Sequence, residues 1–213
     1  MNIEITLPDK SVRTYEKAIT GEEVAFDIGP KLGKDAVAIE INRKLYDTSY
    51  VITENASIKI LTKKDIQSLS ILRHSSAHLL AQAVLNLYPG TLYGVGPDIE
   101  DGFYYDFLFK ENISDADLPK IEKEMLKLSK ANQLFVKSIQ KKPDAMDLFK
   151  NQQFKMELID SADESEGVED SEVSLYSNNE FIDLCRGPHV PNTGFIKHFK
   201  LTRLGGAYWR GDE

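Results

Sequence analysis

With 213 residues, 41% of them apolar, the chain is long enough for one large domain or two modest ones with ordinary cores, which excludes a disordered tail. The net charge of −8 disfavours nucleic-acid binding by the chain as a whole, so any RNA contact would need a local basic face. The single cysteine excludes an intrachain disulfide framework and suits a reducing compartment. The apolar runs are short, and MNIEITLPDK lacks the pattern of a signal peptide, so we expect a soluble cytoplasmic protein without membrane contact.

The first 62 residues predict a small β-grasp, ubiquitin-like domain. Their pattern is a two-stranded hairpin, a helix that begins near residue 22 and ends at Gly29-Pro30, and two more strands around a turn. The predicted strands cover residues 3–7, 11–15, 36–41 and 57–61. This order of elements is typical of a binding domain, and the segment carries no evident catalytic group.

The charged segment KKDIQS marks the start of a second, larger domain, which we place at residues 63–213. The pattern there predicts a helix over about 66–88, strands within 91–109, an amphipathic helix over 117–132 and an acidic solvated loop over 160–172.

The helix predicted over 117–132 has one apolar and one basic face. The apolar face carries Leu118, Ile121, Met125 and Leu128, and the basic face carries Lys120, Lys123, Lys127 and Lys130. This lysine stripe is either a solvated helix face or a local basic face for RNA.

Three of the four histidines and the only cysteine fall into two short motifs. His74 and His78, in RHSSAH, are four residues apart and so share one side of the predicted helix. Cys185 and His189, in DLCRGPHV, flank a Gly-Pro pair that can turn both side chains toward one point. These four groups could complete a tetrahedral zinc site, or they could orient water by hydrogen bonds.

Taken singly, each motif has a plainer interpretation. A helical histidine pair more often serves packing or faces solvent, and a lone cysteine is usually a small buried apolar residue. The gathering of nearly all histidine and cysteine into two motifs nevertheless favours a functional site.

Six motifs in order resemble the N-terminal part of bacterial-type threonyl-tRNA synthetases. They are ITLPD near the start, DIGP at 27–30, RHSSAHLLAQAV at 73–84, GPDIEDGFYYDF at 96–107, DLCRGPHVP at 183–191 and GAYWRGD at 206–212. The resemblance implies a TGS domain over 1–62 and a post-transfer editing domain over 63–213, the latter an α+β domain with helices packed on antiparallel sheet.

The same resemblance implies an activity and a partner. The domain would hydrolyse the ester of mischarged Ser-tRNA(Thr) at its acceptor end and spare Thr-tRNA(Thr). In this family the aminoacylation core normally follows the equivalent of WRGD. That core uses ATP and zinc, forms the homodimer and ligates threonine to tRNA(Thr). We therefore expect a fragment of a longer enzyme that cannot itself make threonyl-tRNA.

An editing domain compensates for the limited discrimination between threonine and serine at a single binding site. A site built for threonine rejects serine only through one missing methyl group, which is worth roughly 1 to 3 kcal/mol, or about 10- to 200-fold. A second pocket that admits serine and clashes with the extra methyl of threonine supplies the missing discrimination.

The resemblance also implies a role for each site residue. His74 would position or activate water, His78 would shape the pocket, and Cys185 and His189 would close it. Lys155 would bind a second water or the developing oxyanion.

Three further residues would contact the substrate. Asp183 would hold its amino group, Tyr105 would line the serine-discriminating wall, and Arg186 would meet RNA phosphate or pair with a local carboxylate. Without the resemblance, Lys155 would be interpreted as a solvent-exposed lysine in a strand and Tyr105 as a core aromatic.

Zinc marks the main alternative. Alanyl-type editing domains use this constellation as a metal site, whereas the threonyl branch hydrolyses without metal, so we favour no cofactor for editing. A thiolate nucleophile is disfavoured because water can attack an activated ester directly. The competing functions are a free-standing zinc-dependent aminoacyl-tRNA deacylase and a non-catalytic RNA-binding or regulatory module.

Overall fold

The computed structural model of the chain describes residues 2–161, 172–207 and 209, which fall into two compact units. The first unit contains everything up to Leu72 together with Gly187–Pro191, and the second contains Arg73–Arg186 together with the residues from Asn192 onward. The domain boundary placed between residues 62 and 63 stays a prediction. Residues 162–171, most of the predicted acidic loop, lie outside the described residues.

The first unit is built on a mixed five-stranded sheet. Its elements are β1 (Ile3–Thr6), β2 (Val12–Tyr15), β3 (Ile19–Thr20), α1 (Gly21–Ile28), α2 (Pro30–Asp35), β4 (Ala36–Ile41), β5 (Lys44–Tyr46), β6 (Val51–Ile52) and β7 (Ala56–Thr62). The sheet order is β2-β1-β7-β4-β5, with β1 parallel to β7 and the other pairs antiparallel, and β3 pairs with β6 beside it. This topology confirms the predicted β-grasp fold.

Local signals explain the first unit's helices. Thr20 and Glu23 form a reciprocal capping box at the start of α1, in which each side chain accepts the other residue's backbone N–H. The prediction that Gly29-Pro30 ends this helix is confirmed, and Pro30 then begins the short helix α2, where its missing N–H costs nothing. The core beneath them is apolar and consists of Ile3, Ile5, Val24, Ile39, Ile41, Ile52 and Ile58.

The second unit combines helices with small antiparallel sheets. Helix α3 (Gln67–Leu87) begins in the first unit's part of the chain and continues into the second. The elements that follow are β8 (Leu92–Tyr93), β9 (Asp98–Ile99), β10 (Gly102–Phe103), β11 (Phe107–Leu108), α4 (Leu118–Lys130), β12 (Val136–Lys141), α5 (Lys142–Leu148), α6 (Gln153–Asp160), β13 (Glu172–Asn178) and β14 (Phe181–Leu184).

Antiparallel pairing organises these strands. Strands β12, β13 and β14 form a three-stranded sheet in that order, while β11 pairs with β8 and β10 with β9. Helix α5 contacts β12 and β13, and helix α6 contacts β8. The α+β class predicted for the chain, with helices on antiparallel sheet, is confirmed.

The strand prediction over 91–109 holds only in short pieces of two residues each. These pieces are separated by residues 94–97, 100–101 and 104–106. The last gap contains Tyr105, whose hydroxyl donates to the buried carboxylate of Asp183.

The two faces predicted for helix α4 are present. Leu118, Ile121, Met125 and Leu128 are buried, whereas Lys120, Lys123, Lys127 and Lys130 are exposed. Whether this stripe meets tRNA stays a prediction. Among the described residues, no helix combines the length and apolar character needed to cross a membrane.

Candidate functional site

Helix α3 brings His74 and His78 together on one side. Their ring centroids are 4.9 Å apart in an edge-to-face arrangement. His78 is buried, and its ring also contacts Tyr105 and Phe181 edge-on. The spacing of four residues thus places both imidazoles in one region of the second unit.

Cys185 joins the two histidines from the end of strand β14. Its backbone N–H donates to the carbonyl oxygen of Ser174 (3.1 Å), and the Ser174 hydroxyl donates to the Cys185 carbonyl oxygen (2.6 Å). These two bonds fix the backbone so that Sγ lies 2.9 Å from Nε2 of His74. The donor atoms of His74, His78 and Cys185 lie within 4.8 Å of one another.

His189, the fourth residue of the predicted set, lies in the segment Gly187–Pro191 that belongs to the first unit. Its side chain is buried, and its backbone N–H donates to Oδ1 of Asp47 at 2.9 Å. Its role beside Cys185 stays a prediction. Arg186 is exposed, and its carbonyl oxygen accepts a bond from Nζ of Lys137, so its contact with RNA phosphate also stays a prediction.

Lys155 is the most unexpected side chain of the second unit. It lies on helix α6 and is 1% exposed, so the interpretation as a solvent-facing lysine in a strand is wrong. Its ammonium group forms an ion pair with Asp183 and donates to the carbonyl oxygen of Gly94 (2.5 Å) and the hydroxyl of Tyr105 (3.0 Å). The ammonium therefore has two hydrogen-bond acceptors and one carboxylate counter-charge.

Asp183, on strand β14, connects the lysine to the histidine cluster. One carboxylate oxygen pairs with Lys155, and the other accepts the Tyr105 hydroxyl at 2.6 Å and lies 3.5 Å from Nε2 of His78. Lys155 and Asp183 are both buried, and a buried charge is tolerated when it is paired and hydrogen-bonded in this way.

Tyr105 is held in this network by two neighbouring glycines. A Cβ atom on Gly96 would stand 2.1 Å from the Tyr105 ring, so only glycine lets the ring pack this closely. The carbonyl oxygen of Gly94 is the one that Lys155 binds. Tyr105 is 7% exposed, which agrees with a core aromatic, but its hydroxyl is committed to Asp183.

Burial sets the protonation states of the site. It lowers the pKa of His78 well below its ordinary value, and the nearby His74 and Lys155 act in the same direction. Burial also lowers the pKa of His74, although a hydrogen bond with the Gly96 backbone and the charges of Asp183 and Asp98 oppose the shift. Both imidazoles are therefore neutral near pH 7, and a neutral imidazole can accept a proton.

The hydroxyl of Tyr105 stays protonated for a related reason. Burial, reinforced by the negative charge of Asp183, raises the pKa of Tyr105 well above its ordinary value. The tyrosine thus acts as a hydrogen-bond donor to the carboxylate throughout the physiological range.

Sequence analysis did not identify three residues that hold the site in place. Ser174 forms hydrogen bonds with the backbone of Cys185, and Gly94 supplies the carbonyl oxygen that Lys155 binds. The centroid of the Tyr93 ring lies 4.8 Å from the Lys155 ammonium. The closely spaced glycines in YGVG were the available signal, because a glycine often marks a close approach of backbone and side chain. Ser174 carries no such signal.

The donor set is chemically suited to zinc, but the distances fit a direct hydrogen bond. Tetrahedral zinc with ordinary Zn–N and Zn–S lengths would hold a nitrogen and a sulfur about 3.6 Å apart. The 2.9 Å between His74 Nε2 and Cys185 Sγ is shorter, so an ion would have to separate the pair by about 0.7 Å.

Comparison with known proteins identifies both parts of the chain. Residues 3–62 match the TGS domain, and residues 173–213 match the threonyl and alanyl tRNA synthetase second additional domain. The threonine–tRNA ligase of Hahella chejuensis is 48% identical over 211 residues, which is 98% of this chain and 32% of that protein. Over nearly its whole length, the chain is therefore similar to about a third of a threonine–tRNA ligase.

Other threonine–tRNA ligases give the same result. The proteins of Acholeplasma laidlawii and Francisella tularensis subsp. novicida are 47% and 46% identical over 99% of this chain, and the matches cover 32% and 33% of those proteins. The chain thus spans about a third of the length of the curated ligases that it matches. The family resemblance read from the six motifs is confirmed.

Proposed function

We propose that the second unit hydrolyses the ester between serine and tRNA(Thr) and spares the threonyl ester. The observation that carries this proposal is the buried Lys155–Asp183–Tyr105 network beside the His74–Cys185 pair. Buried charges and histidines with shifted pKa values cluster at functional sites, so this arrangement supports a site for chemistry.

Water is the nucleophile in the proposed reaction. His74 accepts a proton as the water oxygen attacks the ester carbonyl, and the negative charge gathers on the carbonyl oxygen. The bond to the ribose oxygen then breaks, and that oxygen takes the proton back from His74, which leaves free serine and uncharged tRNA. No other reactant is consumed.

The structure narrows the proposed role of Lys155. Because its buried ammonium already has two hydrogen-bond acceptors and a counter-charge, we expect it to reach a second water or the oxyanion by exchanging one of these partners. The Tyr105 hydroxyl is the natural one to exchange, since it keeps its own bond to Asp183. Until then Lys155 fixes Asp183, the residue that we propose binds the substrate ammonium.

The remaining residues keep narrower proposed roles. Tyr105 lines the wall that discriminates serine from threonine, and His78 shapes the pocket behind it. Cys185 and His189 close the pocket near the amino acid and the ribose, and Arg186 meets phosphate at the acceptor end. The full-length protein would add an ATP-dependent, zinc-containing ligase core and a homodimer interface.

The test is a comparison of two substrates. Under single-turnover conditions the 213-residue chain should hydrolyse Ser-tRNA(Thr) and leave most Thr-tRNA(Thr) intact, because the pocket excludes the extra methyl group. Equal hydrolysis of the two substrates would contradict the proofreading function. Binding of tRNA without hydrolysis of either would favour a non-catalytic RNA-binding module.

A zinc-dependent deacylase is the second candidate, favoured by the close approach of His74, His78 and Cys185. Zinc would lower the pKa of a bound water to about 7. Metal analysis and hydrolysis rates before and after chelation separate the two mechanisms. One bound zinc per chain with activity lost on chelation and restored by zinc would replace our metal-free proposal.

A further inference from the structure

We propose that Trp209, the only tryptophan of the chain, is a positioning residue for Lys155. This inference rests on the proposed function, in which Lys155 orients Asp183 and the substrate. Trp209 lies at the end of the described residues.

The first contact of Trp209 is with helix α6, on both sides of the lysine. Its ring lies 4.6 Å, centroid to centroid, from the ring of Phe154, the residue directly before Lys155. Its indole Nε1–H donates to Oε2 of Glu157, two residues after Lys155, at 2.9 Å. The indole therefore braces the turn of helix that carries the ammonium group.

The second contact is with the acceptor that Lys155 binds. A Cβ atom built on Gly94 would stand 2.8 Å from Cζ3 of Trp209, so the indole lies directly over this glycine. The carbonyl oxygen of the same glycine accepts the bond from Lys155 Nζ. One indole thus contacts both the helix that carries the lysine and the glycine whose carbonyl oxygen accepts the lysine's hydrogen bond.

This double contact has a mechanical consequence. The ammonium has its three partners only while helix α6 and Gly94 keep their separation, because a hydrogen bond weakens steeply once its geometry is lost. A planar, rigid indole between these two segments fixes that separation at small entropic cost. Loss of the indole should let Lys155 move without removing any group that touches the substrate.

The experiment measures single-turnover hydrolysis of Ser-tRNA(Thr) by the 213-residue chain. Trp209→Ala should slow the chemical step about tenfold with little change in KM, since displacement of a catalytic group lowers kcat. Trp209→Phe should recover part of the loss, because it keeps a ring against Phe154. Glu157→Gln should stay within about twofold, since its amide oxygen still accepts the indole N–H.

A matched control and a double variant make the result specific. Leu204→Ala changes an exposed residue on the same terminal segment and should leave the rate unchanged. In the Lys155→Ala background, Trp209→Ala should cause no further loss, because both changes remove the same contribution.

The outcomes separate this inference from the proposed function. A normal rate for Trp209→Ala, or a full additional loss in the double variant, would overturn the positioning role while Lys155→Ala remained impaired. A normal rate for Lys155→Ala would instead remove the lysine from the mechanism and overturn the positioning role, whereas only failure of the unchanged chain to hydrolyse Ser-tRNA(Thr) would overturn the proposed function.

Fluorescence gives a readout that does not depend on activity. The emission maximum of the sole tryptophan should shift in Glu157→Ala, where the indole loses its acceptor, and should stay unchanged in Leu204→Ala. An unshifted emission in Glu157→Ala would contradict the contact on which the inference rests. Because both variants keep Trp209, this test holds even if Trp209→Ala fails to fold.

Discussion

Both units bury apolar side chains, but among the described residues only the second also buries charged ones. The first unit's core cluster is a set of aliphatic residues around the β-grasp sheet. In the second unit Lys155 and Asp183 are buried. No other Lys, Arg, Asp or Glu among the described residues is buried. Burial of aliphatic side chains stabilises a fold by itself, whereas a buried ion pair seldom does. The ion pair of the second unit is therefore better explained by the chemistry that we assign to this site than by stability.

The largest expected effect comes from breaking the buried ion pair. Lys155→Met should destabilise the second unit by about 3 to 5 kcal/mol, because Asp183 would remain buried without its counter-charge. The double variant Lys155→Met/Asp183→Leu should regain most of that stability and remain inactive. Urea unfolding combined with deacylation rates checks both parts, and an active double variant would show that the pair serves only the fold.

The next prediction concerns the pH dependence of the free energy of unfolding. The unfolded His78 has an ordinary pKa near 6.5, and its folded pKa is lower, so the unfolded state binds more protons between these two values. The free energy of unfolding should therefore fall as pH drops below about 6.5. His78→Gln should flatten the curve measured between pH 5 and 8. An equal slope in both proteins would argue against a neutral buried His78.

A smaller effect is expected on the surface of the second unit. Replacing Lys120, Lys123, Lys127 and Lys130 with glutamate should weaken tRNA binding and reduce its salt dependence if the lysine stripe meets phosphate. The loss of stability should be modest, because the contacts of Lys127 with Glu124 and of Lys120 with the Tyr88 ring involve exposed lysines. Unchanged affinity and salt slope would leave the stripe as a solvated helix face.

The smallest effect concerns the first unit. Thr20→Ala removes one half of the capping box and should lower stability by about 1 kcal/mol. Hydrolysis of Ser-tRNA(Thr) at saturating substrate should stay unchanged, since the cap contains none of the proposed catalytic groups. Thr20→Ser is the matched control, because it keeps the hydroxyl. A slower chemical step in Thr20→Ala would show that the first unit influences catalysis.

Sequence patterns predicted the fold better than they predicted the site. Periodicity and turn residues located helix α3, helix α4 and the first hairpin, because each depends on residues close together in the chain. The contacts of Lys155 join residues 61 positions apart at Gly94 and 50 apart at Tyr105. No local pattern reveals such long-range partners, and a lysine is expected in solvent unless a paired site is known.

The histidine pair shows where a local pattern suffices. The spacing of His74 and His78 fixes their common side from helix geometry alone, and the structure has their rings 4.9 Å apart. The approach of Cys185 depends instead on the pairing of β13 with β14 and on the bonds from Ser174. That approach could be inferred from the family resemblance but not from the spacing of residues.

The most direct test of the central claim is the single-turnover rate constant for hydrolysis of Ser-tRNA(Thr), measured for the chain and for His74→Ala. Our account predicts that removing this neutral imidazole slows hydrolysis by about 10²-fold or more, the usual scale for a positioned acid–base group, while tRNA binding changes little. An unchanged rate constant in His74→Ala would contradict the assignment of the second unit's buried polar site to ester hydrolysis.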